Sequence, residues 1–228
     1  MEFAVFSTQG LNYVFKWLHF FFGIMWIGHL YYFNFTQGTA IAQVEPAGVR
    51  PNVLSKFLPV AMWWFRWGAM WTFVTGLLML HFSNFPLSGD WGVKILTGSV
   101  FGILMWANVW FIIWPAQKIV IQSNQQVATG GQPLPTAAAN GAKALLASRT
   151  NTLFSIPMLF YMGAASHLPM QIDVSRQSTW WIVLAILAGG LEFNAIKGKL
   201  GPMQTVKGVI TCGFILAAVV YVLMEVIL

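Results

Sequence analysis

Apolar residues in this chain come in long stretches broken by short polar interruptions. Several of these stretches reach the roughly 20 residues needed to cross a bilayer core of about 30 Å. Six spans are predicted, at about 17–36, 57–81, 92–114, 149–167, 179–196 and 206–227. The polar stretch from Gln122 to Gly141, rich in Gln, Gly, Ala and Pro, reads as aqueous loop within a cytoplasmic connection over 115–148. No internal repeat is visible, so residues 1–228 are expected to form a single domain. The predicted fold class is an all-α integral membrane protein, a bundle of about six transmembrane helices.

Composition sharpens this picture. Hydrophobic residues make up 57% of the chain and charged residues 8%, against about 25% charged in an ordinary soluble domain. A soluble fold could not cover its surface with so few charges. The 12 Trp suit aromatic belts, many of them standing near the ends of apolar runs. The net charge of +6 does not point to nucleic acid, because no segment carries a dense Lys/Arg cluster. Cys212, the only cysteine, can form no intrachain disulfide, and no Cys-x-x-Cys-His haem attachment exists. No cleavable signal peptide is expected, since the first charge is Glu2 and the first apolar run is long enough to span.

The basic residues report orientation. Arg50, Lys56, Lys118, Lys143, Arg149, Lys197, Lys199 and Lys207 fall on one side of the predicted bundle. Lys16, Lys94 and Arg176 fall on the other, diluted by Glu2, Asp90, Asp173 and Glu225. The first side is expected to be cytoplasmic. Both termini are then periplasmic, in a multi-pass protein of the bacterial inner membrane.

This topology brings His19, His81 and His167 to one depth, the periplasmic edge of the bilayer. Imidazole is a ligand for haem iron, copper and zinc. His19 and His167 are the expected axial ligands of a haem b, with His81 as substitute and Phe20, Phe21, Phe22, Trp26, Phe82 and Phe160 as candidate walls. Each histidine, taken singly, is also an ordinary interfacial residue facing water. His29 lies about 15 Å further along the helix than His19 and roughly 80° round it, so it cannot share that metal. It is expected to be hydrogen-bonded inside the bundle. Copper is the rival metal: there are 11 Met, and Met162 is close to His167 in sequence, though Met is also common packing material.

A second polar set lies in the cytoplasmic half. Arg66, well inside span two, needs a partner there, and an ion pair with Glu192 is expected. Asn34, Asn108, Asn151 and Asn194 fall in the same half of spans one, three, four and five. They either line a polar cavity for a small ligand or a proton path, or make helix–helix hydrogen bonds. Arg66 could alternatively hold an anionic ligand group.

Certain stretches carry a family resemblance. They are Trp17-Leu18-His19 with Gly23 to Gly28, Trp64-Phe65-Arg66-Trp67-Gly68-Ala69 with Thr75-Gly76, Ser148 to Thr152 through Pro157-Met158-Leu159-Phe160 to His167, and Leu191-Glu192-Phe193-Asn194-Ala195. The chain resembles the membrane domain of the bacterial urate oxidase (urate hydroxylase) family, whose longer members end in a cytochrome c domain. The resemblance implies a membrane oxidoreductase passing electrons from a small reductant, urate-like, toward a periplasmic cytochrome c. It directs attention to His19, Arg66, Arg149, Asn151, His167, Glu192 and Asn194. With no Cys-x-x-Cys-His present, that cytochrome is expected to be a separate partner. The rival expectation is a cofactor-free structural or accessory subunit of a larger respiratory or oxygenase complex. A small-molecule transporter is disfavoured by the lack of inverted repeats, and hydrolytic chemistry by the lack of a nucleophile or zincin motif.

Overall fold

Helix α1 begins at Thr8 because the Ser7 side chain accepts a hydrogen bond from the Gly10 amide, satisfying one of the free donors of the first turn. It runs Thr8–Tyr31, widens into a π-helical turn at Tyr32–Gln37, and ends in Gly38–Ala42. The computed structural model describes residues 3–83 and 85–228, so Glu2 of the charge map and Asn84 lie outside the described residues. Five further long helical rods follow. Helix α2 is Arg50–His81. Helix α3 runs Asp90–Ala107, passes through a second π turn at Asn108–Ile113, and continues over Trp114–Ala128. Helices α4, α5 and α6 are Ala137–His167, Gln177–Lys197 and Val206–Ile227. There is no strand among the described residues.

Each predicted span falls inside one of these rods. Three rods are long and apolar enough to cross a membrane: Asp90–Ala128, Val174–Lys197 and Val206–Ile227. The other three carry more Trp, Tyr, Gly, Asn and Thr, which lowers their mean hydropathy. Helix α4 illustrates the reason. It packs against α1, α3, α5 and α6, and its middle turns bury Arg149, Thr150, Asn151, Thr152 and Ser155. An interior helix faces protein on most sides and has little need of an apolar exterior.

The stretch read as loop corrects one expectation. Within the predicted cytoplasmic loop 115–148, the chain is helical to Ala128 and again from Ala137. Gln and Ala are good helix formers whatever their polarity. Only residues 129–136 leave the helix, where Gly130 adopts φ +89° and Pro133 and Pro135 follow. The Gly131 amide donates to the Gln126 carbonyl, closing the end of α3 through the left-handed residue that glycine supplies. The turn is tied back by the Leu134 amide donating to Ser123 Oγ at 3.0 Å.

Two residues of the charge map are not surface charges. Lys94 is fully buried in α3, bonded to Asp90 at 2.7 Å and to the Leu168 carbonyl. Arg149 is buried in α4. Small residues set the closest helix contacts. At Gly213 of α6, a Cβ would stand 2.3 Å from Cδ1 of Ile156, so α4 and α6 approach at a point where only glycine fits without a shift.

Candidate functional site

The two π turns press an asparagine onto α4 from either side. Wide turns of this kind recur at functional sites because the extra residue frees backbone groups and re-aims side chains. From the first, Asn34 donates through Nδ2 to the Leu30 carbonyl at 2.8 Å and to Ser148 Oγ at 2.7 Å. From the second, Asn108 donates to Asn151 Oδ1 at 2.9 Å and to Glu192 Oε2 at 3.0 Å. Asn151 in turn donates to the Met105 carbonyl at 2.9 Å, just before that turn. The Oδ1 atoms of both Asn34 and Asn108 stay buried without a hydrogen-bond partner. Ser148 and Asn151, one helical layer of α4, thus accept from Asn34 of α1 and Asn108 of α3, and Asn151 donates back to the Met105 carbonyl of α3.

Arg149 belongs to this layer and is its most unusual member. The residue is 8% exposed, and its Nε and Nη1 have no hydrogen-bond partner. No acidic group pairs with it among the described residues. A guanidinium carries five donors and cannot shed its charge. Left unpaired inside a bundle it is costly. Its fork matches a carboxylate or other planar anion in bidentate fashion.

The expected Arg66–Glu192 pair does not form. Arg66 Cζ lies 3.9 Å from the centroid of the Trp114 ring, a cation–π contact, with Nε buried and unpartnered. Glu192 bonds to Asn108 instead. The two residues share a depth but not a neighbourhood: α2 packs on α1 and α3, whereas α5 packs on α3, α4 and α6. Asn194 also stands apart from the layer. It donates to the Lys199 carbonyl and accepts from the Lys199 amide, ending α5.

The histidines separate likewise. His19 is half-buried and lines a cavity of about 190 Å³ together with Asn12, Gly76, Met79, Met162 and Ser166. His81 and His167 are exposed and form no part of that lining. His81 packs edge-on against Phe82. His29, bonded through Nδ1 to the Met25 carbonyl at 2.7 Å, lines a separate groove with Trp64 and Tyr32. His81 and His167 thus face outward beside the cavity, flanked by its lining residues Leu80, Phe82 and Ser166. The cavity is smaller than the roughly 300–1,000 Å³ of ordinary cofactor pockets.

His19 is held in place by Thr75. The Thr75 hydroxyl donates to the Trp71 carbonyl at 2.6 Å, so toward His19 Nδ1, at 3.2 Å, it can only accept. Nδ1 therefore carries the proton and Nε2 keeps its lone pair. The ring fits because residue 76 is glycine; a Cβ there would stand 3.2 Å from His19 Cε1. Ligand histidines are commonly fixed in this way by a hydrogen bond from the other ring nitrogen.

The sequence offered no direct signal for the π turns, for Ser148, or for the lateral neighbours of Arg66. Thr75-Gly76 stood out only through the resemblance. Lys94, read as a loop charge, is followed by apolar Ile95 and Leu96 and preceded by Asp90 at i−4 spacing; that pairing was the available clue.

Fold and site together define an all-helical protein with membrane-crossing rods and a charged, hydrogen-bonded layer inside the bundle. The model of the family described as "Urate oxidase N-terminal" matches residues 83–225, more than half of the chain, and the chain belongs to that family. The matched region holds Asn108, Arg149, Asn151, His167, Glu192 and Asn194. His19, Asn34, Arg66 and His81 precede it, so the broader resemblance expected from the sequence extends beyond this match. Comparison with curated proteins and with solved structures finds no match.

Proposed function

We propose that this chain is the membrane part of an oxidoreductase that binds a small anionic reductant, urate-like by its family, in the polar layer around Arg149. Its six rods cross the bacterial inner membrane with both termini periplasmic. The seven basic residues Arg50, Lys56, Lys118, Lys143, Lys197, Lys199 and Lys207 mark the cytoplasmic side, against Lys16 and Arg176 outside. Electrons from the reductant pass toward a periplasmic cytochrome c.

The observation that carries this reading is Arg149, nine-tenths buried with two guanidinium nitrogens unpaired. A urate monoanion is planar and offers adjacent oxygen and nitrogen acceptors to such a fork, in a layer where the amide oxygens of Asn34 and Asn108 are also buried and unpaired. Titration of the detergent-purified protein with urate tests it. Arg149→Gln should weaken binding roughly 10- to 100-fold, the worth of one or two hydrogen bonds to a charged group. Arg149→Lys should recover part of the loss. An unchanged dissociation constant in a folded Arg149→Gln protein refutes the assignment.

A second reading is favoured by the outward-facing aromatic side chains, such as Phe20, Phe193 and Phe214, and by the exposed His81 and His167. In it the chain is an accessory subunit within a larger membrane complex. Wild-type protein that is folded, binds no urate and co-purifies with further subunits would select that reading.

A further inference from the structure

The cavity beside His19 is independent of the Arg149 layer and has a chemistry of its own. Its wall holds one imidazole with a free Nε2 and two methionines, Met79 from α2 and Met162 from α4. The remaining polar groups are neutral amides and hydroxyls from Gln9, Asn12, Ser83, Ser99 and Ser166, with one cation, Lys16. Among the described residues no carboxylate lines it, and no three His, Cys, Asp or Glu side chains come together.

This donor set excludes the hard divalent ions. Calcium, magnesium and manganese sites are built around carboxylates, which the two amide oxygens of Gln9 and Asn12 do not replace, and a structural zinc site requires four nitrogen, thiolate or carboxylate ligands. Thioether sulfur with imidazole nitrogen selects monovalent copper. Lys16 is the one charged group in this wall among the described residues, so a monovalent ion meets less repulsion there than a divalent one. The volume, about 190 Å³, accommodates an ion and its bonds but is small for a porphyrin.

We infer that His19, Met79 and Met162 form a binding site for a copper(I) ion. His19 supplies Nε2 as the nitrogen ligand. The hydrogen bond from Nδ1 to Thr75 fixes its tautomer, and Gly76 leaves room for the ring. Met79 and Met162 supply sulfur from two different helices, so the ion joins α1, α2 and α4. His81 and His167 take no part.

The test is titration of the full-length protein in detergent with copper(I), against bicinchoninate as a coloured competitor. One equivalent is expected per wild-type chain, with sulfur and nitrogen in the first shell by X-ray absorption. His19→Ala and the Met79→Leu/Met162→Leu pair should each lose at least tenfold in affinity. Leucine conserves the volume of methionine, so the second variant removes sulfur without emptying the site. Gly76→Ala, which crowds the ring, should also weaken binding, whereas His81→Ala, His167→Ala and Arg149→Gln should leave it unchanged. Binding that persists in folded His19→Ala or in the Met79/Met162 double variant overturns the inference. So does purified protein carrying one b-type haem per chain by reduced-minus-oxidised spectrum and pyridine haemochrome, lost in His19→Ala. Because Arg149→Gln separates the two sites, failure of copper binding and failure of urate binding are distinguishable.

Discussion

Asn151→Leu should destabilise the bundle by an amount that the polar layer allows to be worked out. Asn151 is fully buried, accepts from Asn108 Nδ2 at 2.9 Å, and donates to the Met105 carbonyl at 2.9 Å. Leucine keeps the branched outline of asparagine but is larger, so in each single variant overpacking adds to the lost hydrogen bonds. Such bonds between membrane helices are worth about 0.6 kcal/mol on average and about 1.7 kcal/mol at most. Losing two gives roughly 1–3 kcal/mol. Asn108→Leu removes the shared bond and, in addition, the bond to Glu192, so the two variants should not be additive. The double variant should fall short of the sum by about 0.6 kcal/mol, up to about 1.7 kcal/mol, the worth of the one bond they have in common. Chemical unfolding in mixed micelles, followed by circular dichroism, measures all three. A single-variant cost below about 0.3 kcal/mol, or additivity within about 0.3 kcal/mol, would show that the layer does not hold the helices together as described.

Other expectations rest on different contacts. Exchanging the charges of Arg66 and Glu192 in a double variant should not rescue either single variant, since Arg66 sits over Trp114; recovery of stability would reinstate the ion pair. Arg66→Leu alone should cost about 0.5–2 kcal/mol in the same unfolding assay. Asp90→Asn should destabilise more than Lys94→Met, because the first strands a fully buried ammonium while the second leaves a half-exposed carboxylate that water can reach. Equal costs in thermal unfolding would contradict that accounting. Gly213→Ala should be mild, as the tip of Ile156 can swing aside, whereas Gly213→Leu should cost about 1–3 kcal/mol by overpacking the contact between α4 and α6.

Long apolar stretches made the helical rods legible, and each predicted span lies within one. Their ends were less so. Hydropathy marks the apolar part of a helix, not its length, so the Ala-rich start of α4 and the Gln-rich end of α3 read as loop. The level of the polar layer was readable, because depth along a helix follows from residue count at about 1.5 Å each. Which residues meet across that level was not. Asn108, Asn151 and Glu192 meet; Arg66 and Asn194, at the same level, do not. Sideways placement depends on helix order and rotation, and both π turns change the rotation without leaving a mark in composition. The same limit separated His19 from His81 and His167, which share an expected depth but not a cavity.

Those π turns also decide which genetic changes the protein can absorb. A π turn holds one residue more than an α-helix would use over the same stretch. Delete any one residue within Asn108–Ile113 and the backbone can relax into regular α-helix with every amide still bonded. The segment beyond, Trp114–Ala128, keeps its aim, because the α-helix covers the same stretch with one residue fewer. Trp114 stays over Arg66 and Ser123 still meets the Leu134 amide. A one-residue deletion in the regular helix on either side has no such reserve and turns everything beyond it by about 100°. Tyr32–Gln37 and Asn108–Ile113 therefore each carry a spare residue, and alignments of relatives should show one-residue gaps there more readily than in the flanking helix.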